Sequence, residues 1–272
     1  MRCARHAWQQ GPARLAGLLA GALFGVLLEL ATIAQLQAYE YGGFLVMVGD
    51  VPLCIGVGWG VILYSARLAS DAAALPEWAR PVLDGLLALN IDLAMDAVAI
   101  RLGFWDWGFG FQGEYFGVPY PNFWAWFWVV ASFSAGLRAF GRLPGALGRW
   151  LAPAGAVVVG VLGVLTTNTL IVYGVPLELR RWVVALTLLG ALSLVIAVRP
   201  RLGARPMPAP ALWVPLVLHL YFLVAGLVSG AVFEPPVLLA VSLIMLAVAA
   251  RLHRYALPGA CPQRTDSQPR AA

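Results

Sequence analysis

The sequence predicts an all-α, polytopic transmembrane helix bundle of about eight spans, with both termini cytoplasmic. Three observations carry that prediction. Charged residues make up 11% of the 272-residue chain and hydrophobic residues 61%, whereas a soluble domain carries about 25% charged residues. Apolar runs of about 20 residues, the length that crosses a bilayer, recur along the chain. Apart from three histidines, all 18 basic residues are arginines, gathered in the short segments between those runs.

The first apolar run, 14–37, follows a basic start, "MRCARHAWQQGPARLAG". It is longer than a signal-peptide core, and no small-x-small cleavage site leads from it into a soluble domain, so it reads as a span. Further spans fall near 48–68, 82–101, 122–140, 151–173, 179–198, 211–233 and 235–252. "GDVPL", Gly49 to Leu53, places Asp50 and Pro52 at the entry to the second. Only "EPP", Glu234 to Pro236, separates the last two, where prolines suit a tight turn and a helix start. The stretch "PRLGARPMPAP", Pro200 to Pro210, is a linker between six spans and a final pair. Residues 1–257 thus form one transmembrane domain, and the polar segment 258–272 is expected to be disordered.

The arginines set the orientation. With a cytoplasmic N-terminus, Arg2, Arg5, Arg14, Arg67, Arg80, Arg138, Arg142, Arg149, Arg199, Arg201, Arg205, Arg251, Arg254, Arg264 and Arg270 fall on the cytoplasmic side. Arg101, Arg180 and Arg181 fall on the other. The positive-inside rule favours this arrangement, and a seven-span count divides the arginines less well. Six acids, Glu40, Asp50, Asp106, Glu114, Glu178 and Glu234, gather at the arginine-poor ends. The net charge of +5 is therefore a topology signal, and no nucleic-acid partner is expected. Cys3, Cys54 and Cys261 form no CxxC pair, and Cys54 reads as a small core residue. The chain has no Walker, GxSxG or HExxH motif and no histidine-rich box, so no metal and no cofactor are expected.

Ionisable groups inside spans are the informative ones. They are Glu29 in the first span, Asp84, Asp92 and Asp96 in the third, and His219 in the seventh. Asp84 lies near a cytoplasmic end. In "LNIDLAMDAVAIRLG", Leu89 to Gly103, Asp92 and Asp96 stand at i and i+4 and share one helix face. Glu29 lies at a similar depth. Desolvation disfavours a charged carboxyl and a neighbouring carboxyl disfavours a second charge, which together keep an acid neutral and able to donate a proton. The plainer reading is interhelical hydrogen bonding, and for His219 a satisfied core histidine. In "TTNT", Thr166 to Thr169, hydroxyl bonding back to the helix is expected.

The following segment, "RLGFWDWGFGFQGEYFGVPYPNFWAWFWVV", Arg101 to Val130, mixes aromatics with Gly103, Gly108, Gly110, Gly113, Gly117, Pro119 and Pro121. An interfacial aromatic belt explains the rings but not the glycines and prolines, which build a shaped loop. Lined with flat rings and carrying Asp106 and Glu114, it suits a long conjugated or prenyl substrate.

Three pieces in this order resemble the integral-membrane carotenoid biosynthesis family that includes the carotenoid 1,2-hydratases acting on γ-carotene and bacterioruberin precursors. They are "VPLCIGVGWGVILYS" from Val51, "DLAMDAVAIRLGFWDW" from Asp92 and "GEYFGVPYPNFWAWF" from Gly113. The chain has Ala97 where the family often has proline and Ala125 where it often has glycine. The resemblance implies water addition to a terminal C=C of an acyclic or monocyclic carotenoid, without a redox cofactor. It assigns Asp92 and Asp96 as the acid/base pair with Glu29 or Glu114 assisting. Trp59, Trp105, Trp107, Tyr115, Phe116, Asn122 and Trp126 would contact the polyene or shield a cation. It also implies a lipid-soluble carotenoid or isoprenoid substrate, a bacterial-type inner membrane and contact with other enzymes of the pathway. Two other functions fit the intramembrane acids: a proton-coupled carrier, and a non-catalytic membrane partner of such enzymes.

Overall fold

The computed structural model describes residues 2–257. The segment 258–272, expected from its composition to be disordered, lies outside the described residues. Among the described residues the chain is an all-α bundle of nine helices: α1 (Arg2–Gln9), α2 (Pro12–Leu36), α3 (Leu53–Ala72), α4 (Ala79–Arg101), α5 (Tyr120–Gly141), α6 (Gly145–Thr169), α7 (Leu177–Ala197), α8 (Pro210–Ser229) and α9 (Val237–His253). A π-helical turn, Leu170–Gly174, extends α6. The eight long helices match the eight expected spans. Short α1, too polar for a span, lies against α2, α3 and α8.

Six of the long helices, α2, α3, α6, α7, α8 and α9, are long and apolar enough to cross a membrane. The other two, α4 and α5, differ in composition for a reason tied to their place. Helix α4 carries Asp84, Asp92, Asp96, Arg80 and Arg101, and 17 of its 23 residues are buried. It packs against α3, α5, α7, α8 and α9, so its polar groups meet protein rather than hydrocarbon. Helix α5 carries Asn122 and Arg138 beside the polar-edged rings of Tyr120, Trp124, Trp126 and Trp128. Peripheral α7 shows the reverse pattern: only Val184 and Val195 are buried, while Leu186, Leu189 and Ile196 point outward.

Lipid tails are as apolar as leucine, so these helices associate through close packing rather than hydrophobic transfer. The α2–α3 crossing displays the device. Gly21 and Gly25 on α2 face Gly56 and Gly60 on α3, each pair four residues apart. A Cβ on Gly56 would lie 2.4 Å from Val26 Cγ2, and one on Gly60 2.8 Å from the Ala22 backbone nitrogen. The two backbones therefore meet at a distance that no larger residue allows.

Two short ribbons shape the arginine-poor end. β2 (Met47–Val48) and β3 (Val51–Pro52) form a hairpin turning at Gly49 and Asp50. This corrects the expected start of the second span: Asp50 sits in the turn, and the helix begins at Leu53 after Pro52. Gly49 takes φ 59° there, a conformation that disfavours a side chain. β1 (Glu40–Tyr41) pairs with β4 (Trp105–Asp106), tying the α2–α3 connection to the aromatic loop after α4. Cys54 is exposed at the start of α3, not a core residue as its type suggested, because it faces the open space at the arginine-poor end.

The glycine crossing makes a graded prediction. Gly60→Val is expected to destabilise the protein by about 1–3 kcal/mol through overpacking. At Gly58 on the same helix an added Cβ would meet nothing within 4 Å, so Gly58→Ala should leave the melting temperature in detergent unchanged. Equal melting temperatures for Gly60→Val and the parent would refute the close crossing.

Candidate active site

The carboxyls in the arginine-poor half of α4 are brought together by an amide from α5. Asp92 and Asp96 are both fully buried, at 0% and 1% exposure. Asn122, in the first turn of α5, donates from Nδ2 to Asp96 Oδ2 at 2.5 Å and towards Asp92 Oδ2 at 3.3 Å. Asn122 reaches them because Pro119 and Pro121 start α5 beside the last turns of α4: Pro119 caps the helix and Pro121 lies in its first turn.

Glu29 arrives from the other side. One turn beyond Gly25, it is carried by the close α2–α3 crossing to Trp59, whose Nε1 donates to Glu29 Oε1 at 2.7 Å. Tyr39, just past α2, donates its hydroxyl to Glu29 Oε2. Burial, with the Glu29 charge adding to it, lifts the Tyr39 and Tyr41 phenols well above their ordinary value. Both therefore remain protonated, and Tyr39 remains a donor.

Glu29, Asp96 and Asn122 open on one cavity of about 1160 Å³, larger than the roughly 300–1,000 Å³ of common small-ligand sites. It lies at the arginine-poor end, between the ends of α2, α3, α4, α5, α6, α7 and α8. Trp59, Trp105, Trp107 and Trp126 line it, as does Glu114. The Trp59 and Trp126 rings stand 4.4 Å apart between centroids, tilted by 42°. Asp92, Tyr115 and Phe116 are not among its lining residues. Asp92 lies behind Asp96. Tyr115 packs on Phe116 and Phe123 and donates to the Leu93 carbonyl at 2.8 Å. Glu114 is engaged elsewhere, its carboxylate accepting the Tyr120 backbone N–H at the start of α5.

The glycine-rich loop between α4 and α5 covers this end. Arg101 fastens it: Nη1 donates to the Ala97 and Phe116 carbonyls at 2.7 and 2.9 Å, and Nε to the Glu234 carbonyl at 2.7 Å. Asp106 stabilises a turn by accepting the Gly108 N–H at 2.8 Å.

Several contributors escape a sequence reading. Tyr39 and Tyr41 lie in a connection with no periodic pattern, and only their aromatic, hydroxyl-bearing type hinted at a use. Asn168 of "TTNT" is buried, lines the cavity, and its Nδ2 has no hydrogen-bonding partner among the described residues. Its neighbours Thr167 and Thr169 bond back to the Gly163 and Leu165 carbonyls, both at 2.8 Å, as expected. His219 is the satisfied core histidine, with Nε2 3.0 Å from Asn90 Oδ1. Asp84 has more company than its terminal position suggested: Ser134 donates to it at 2.5 Å and Arg138 at 3.1 Å.

A multi-pass helical membrane protein with clustered buried carboxyls facing a large, ring-lined cavity is a class suited to apolar substrates. A family model described as carotenoid biosynthesis protein matches residues 12–195, and the chain belongs to that family. No curated protein and no solved structure matched the chain.

The Asn122 amide supports the pair of acids, so Asn122→Leu is expected to lower stability by about 1–3 kcal/mol, the cost of leaving buried acceptors without a donor. Thermal unfolding in detergent checks this. A melting temperature equal to the parent's would show that the amide does not hold the carboxyls.

Proposed function

We propose that the protein is a cofactor-independent hydratase that adds water to the terminal C=C of an acyclic or monocyclic carotenoid. The observation that carries the reading is the pair Asp92 and Asp96 bridged by Asn122, with Asp96 facing a cavity large and apolar enough for a polyene end. Membership of a carotenoid biosynthesis family supports the substrate class. Like charges in contact oppose a second ionisation, so the pair holds a proton between its two carboxyls.

In the proposed mechanism, Asp96 gives that proton to the less substituted alkene carbon. The Asp96 O–H bond breaks, a C–H bond forms from the π electrons, and a tertiary carbocation results. A water oxygen attacks the cation and forms the C–O bond. The proton it sheds returns to the Asp92–Asp96 pair, leaving a tertiary alcohol and the starting enzyme. Glu29, held by Tyr39 and Trp59, faces the developing positive charge, and the Trp59 and Trp126 rings shield it. The cavity's apolar wall keeps other water from the polyene. A bacterial-type inner membrane, where apolar polyenes dissolve, is the proposed location, with other enzymes of the pathway as proposed neighbours.

Co-expression with a pathway that makes lycopene or γ-carotene tests the reading. Pigment mass analysis should find carotenoids heavier by one water, and Asp96→Asn should abolish them while the protein still inserts in the membrane. Unchanged carotenoids with the parent protein would defeat the hydratase reading. Parent-level product from Asp96→Asn would remove Asp96 from the mechanism.

A further inference from the structure

The opposite, arginine-rich end of the bundle holds a second cluster of charged groups. Arg14 stands near the start of α2, Arg67 and Asp71 near the end of α3, Arg80 and Asp84 near the start of α4, and Arg138 near the end of α5. Arg138 is fully engaged: Nη1 reaches Asp71 at 2.5 Å, Nη2 reaches Ser70 at 2.8 Å and Asp84 at 3.1 Å, and Nε reaches Ser134 at 3.2 Å. Arg205, from the linker before α8, donates to the Asp71 carbonyl at 3.4 Å.

The other three guanidinium groups are not satisfied in this way. Arg14 Nη1, Arg67 Nε and Arg80 Nη1 stand 3.9, 3.6 and 3.6 Å from Asp71, beyond hydrogen-bond length. Buried nitrogens on each, Arg14 Nη1, Arg67 Nε and Arg80 Nε, have no hydrogen-bonding partner among the described residues. Four guanidinium groups thus converge on two carboxyls, with Arg205 on the neighbouring backbone, and charge and donors are left to spare. Insertion by the positive-inside rule requires arginines on this side but not their convergence from three helices.

We infer that Arg14, Arg67 and Arg80 form a binding site for a phosphate group. Phosphate offers tetrahedrally placed acceptor oxygens that guanidinium groups engage in pairs. Asp71 does not oppose it, because with Arg138 shared between Asp71 and Asp84 the cluster's cations still outnumber its carboxylates. The site stands at the helix ends, the depth of lipid headgroups, where basic sites between spans take anionic lipids. The phosphate is therefore supplied by an anionic phospholipid headgroup or by free phosphate, and experiment separates the two.

Purified protein in neutral detergent would be titrated with phosphatidylglycerol, phosphatidylcholine or inorganic phosphate, with thermal unfolding as the readout. Stabilisation by phosphatidylglycerol above phosphatidylcholine assigns a lipid, and stabilisation by inorganic phosphate alone assigns a free anion. In either case Arg14→Gln and Arg80→Gln should each weaken the apparent affinity about five-fold. Arg149→Gln, the same charge change at an exposed position on α6, should leave it unchanged. Native mass spectrometry of half-exposed Arg14→Gln, counting retained lipid, gives an independent reading should Arg80→Gln fold poorly. The inference fails if neither ligand stabilises the protein, if both cluster variants keep the parent affinity, or if Arg149→Gln weakens it equally.

Discussion

A carboxyl placed in the apolar interior of a bundle costs about 2.5–3.5 kcal/mol at mid-membrane by insertion scales, and the rest of this structure is arranged around that cost. Helix α4 carries three aspartates and could not face lipid. It is instead surrounded by α3, α5, α7, α8 and α9, each of its acids meeting a donor from α5: Asn122 for Asp92 and Asp96, Ser134 and Arg138 for Asp84. The more lipid-facing helices, α7 above all, carry the continuous apolar surface that α4 lacks. Centrality of one helix and hydrophobicity of its neighbours are two sides of the same constraint.

Close backbone approach supplies the second half of the site. Without the facing glycines of α2 and α3, Trp59 would not reach Glu29, and Glu29 would lack its donor from α3. Tyr39 adds a donor from outside the helix, and the β1–β4 ribbon fixes the connection that carries it. Two carboxyl groups, each held by its own donors, then face one ring-lined cavity. Such an arrangement sets hydrogen-bonded carboxyls into the wall of an aromatic cavity.

The helices were legible because their signals are local. Apolar runs, arginine-bearing connections and the i,i+4 spacing of Asp92 and Asp96 depend on neighbours in sequence, and the bundle follows them closely. What stayed hidden depends on partners distant in the chain. Gly25 and Gly56 carry no chemistry until the two helices cross. Tyr39 gains its role from Glu29, and Asn90 from His219 across 129 positions. Asp50 and Pro52 satisfied a helix-entry pattern equally compatible with a hairpin, and Gly49 decided the matter by supplying the turn. Cys54 is core-like by residue type, yet its place at a helix start leaves it exposed.

Arg101 bears on how the cavity can be reached. Its guanidinium binds α4 through Ala97, the covering loop through Phe116 and the α8–α9 connection through Glu234. A roof tied at once to three parts of the frame does not lift as a flap. Access to the cavity beneath it is then left to the seams between helices. For a family that makes carotenoids, side access of this kind would let an apolar molecule pass between bilayer and cavity without crossing water.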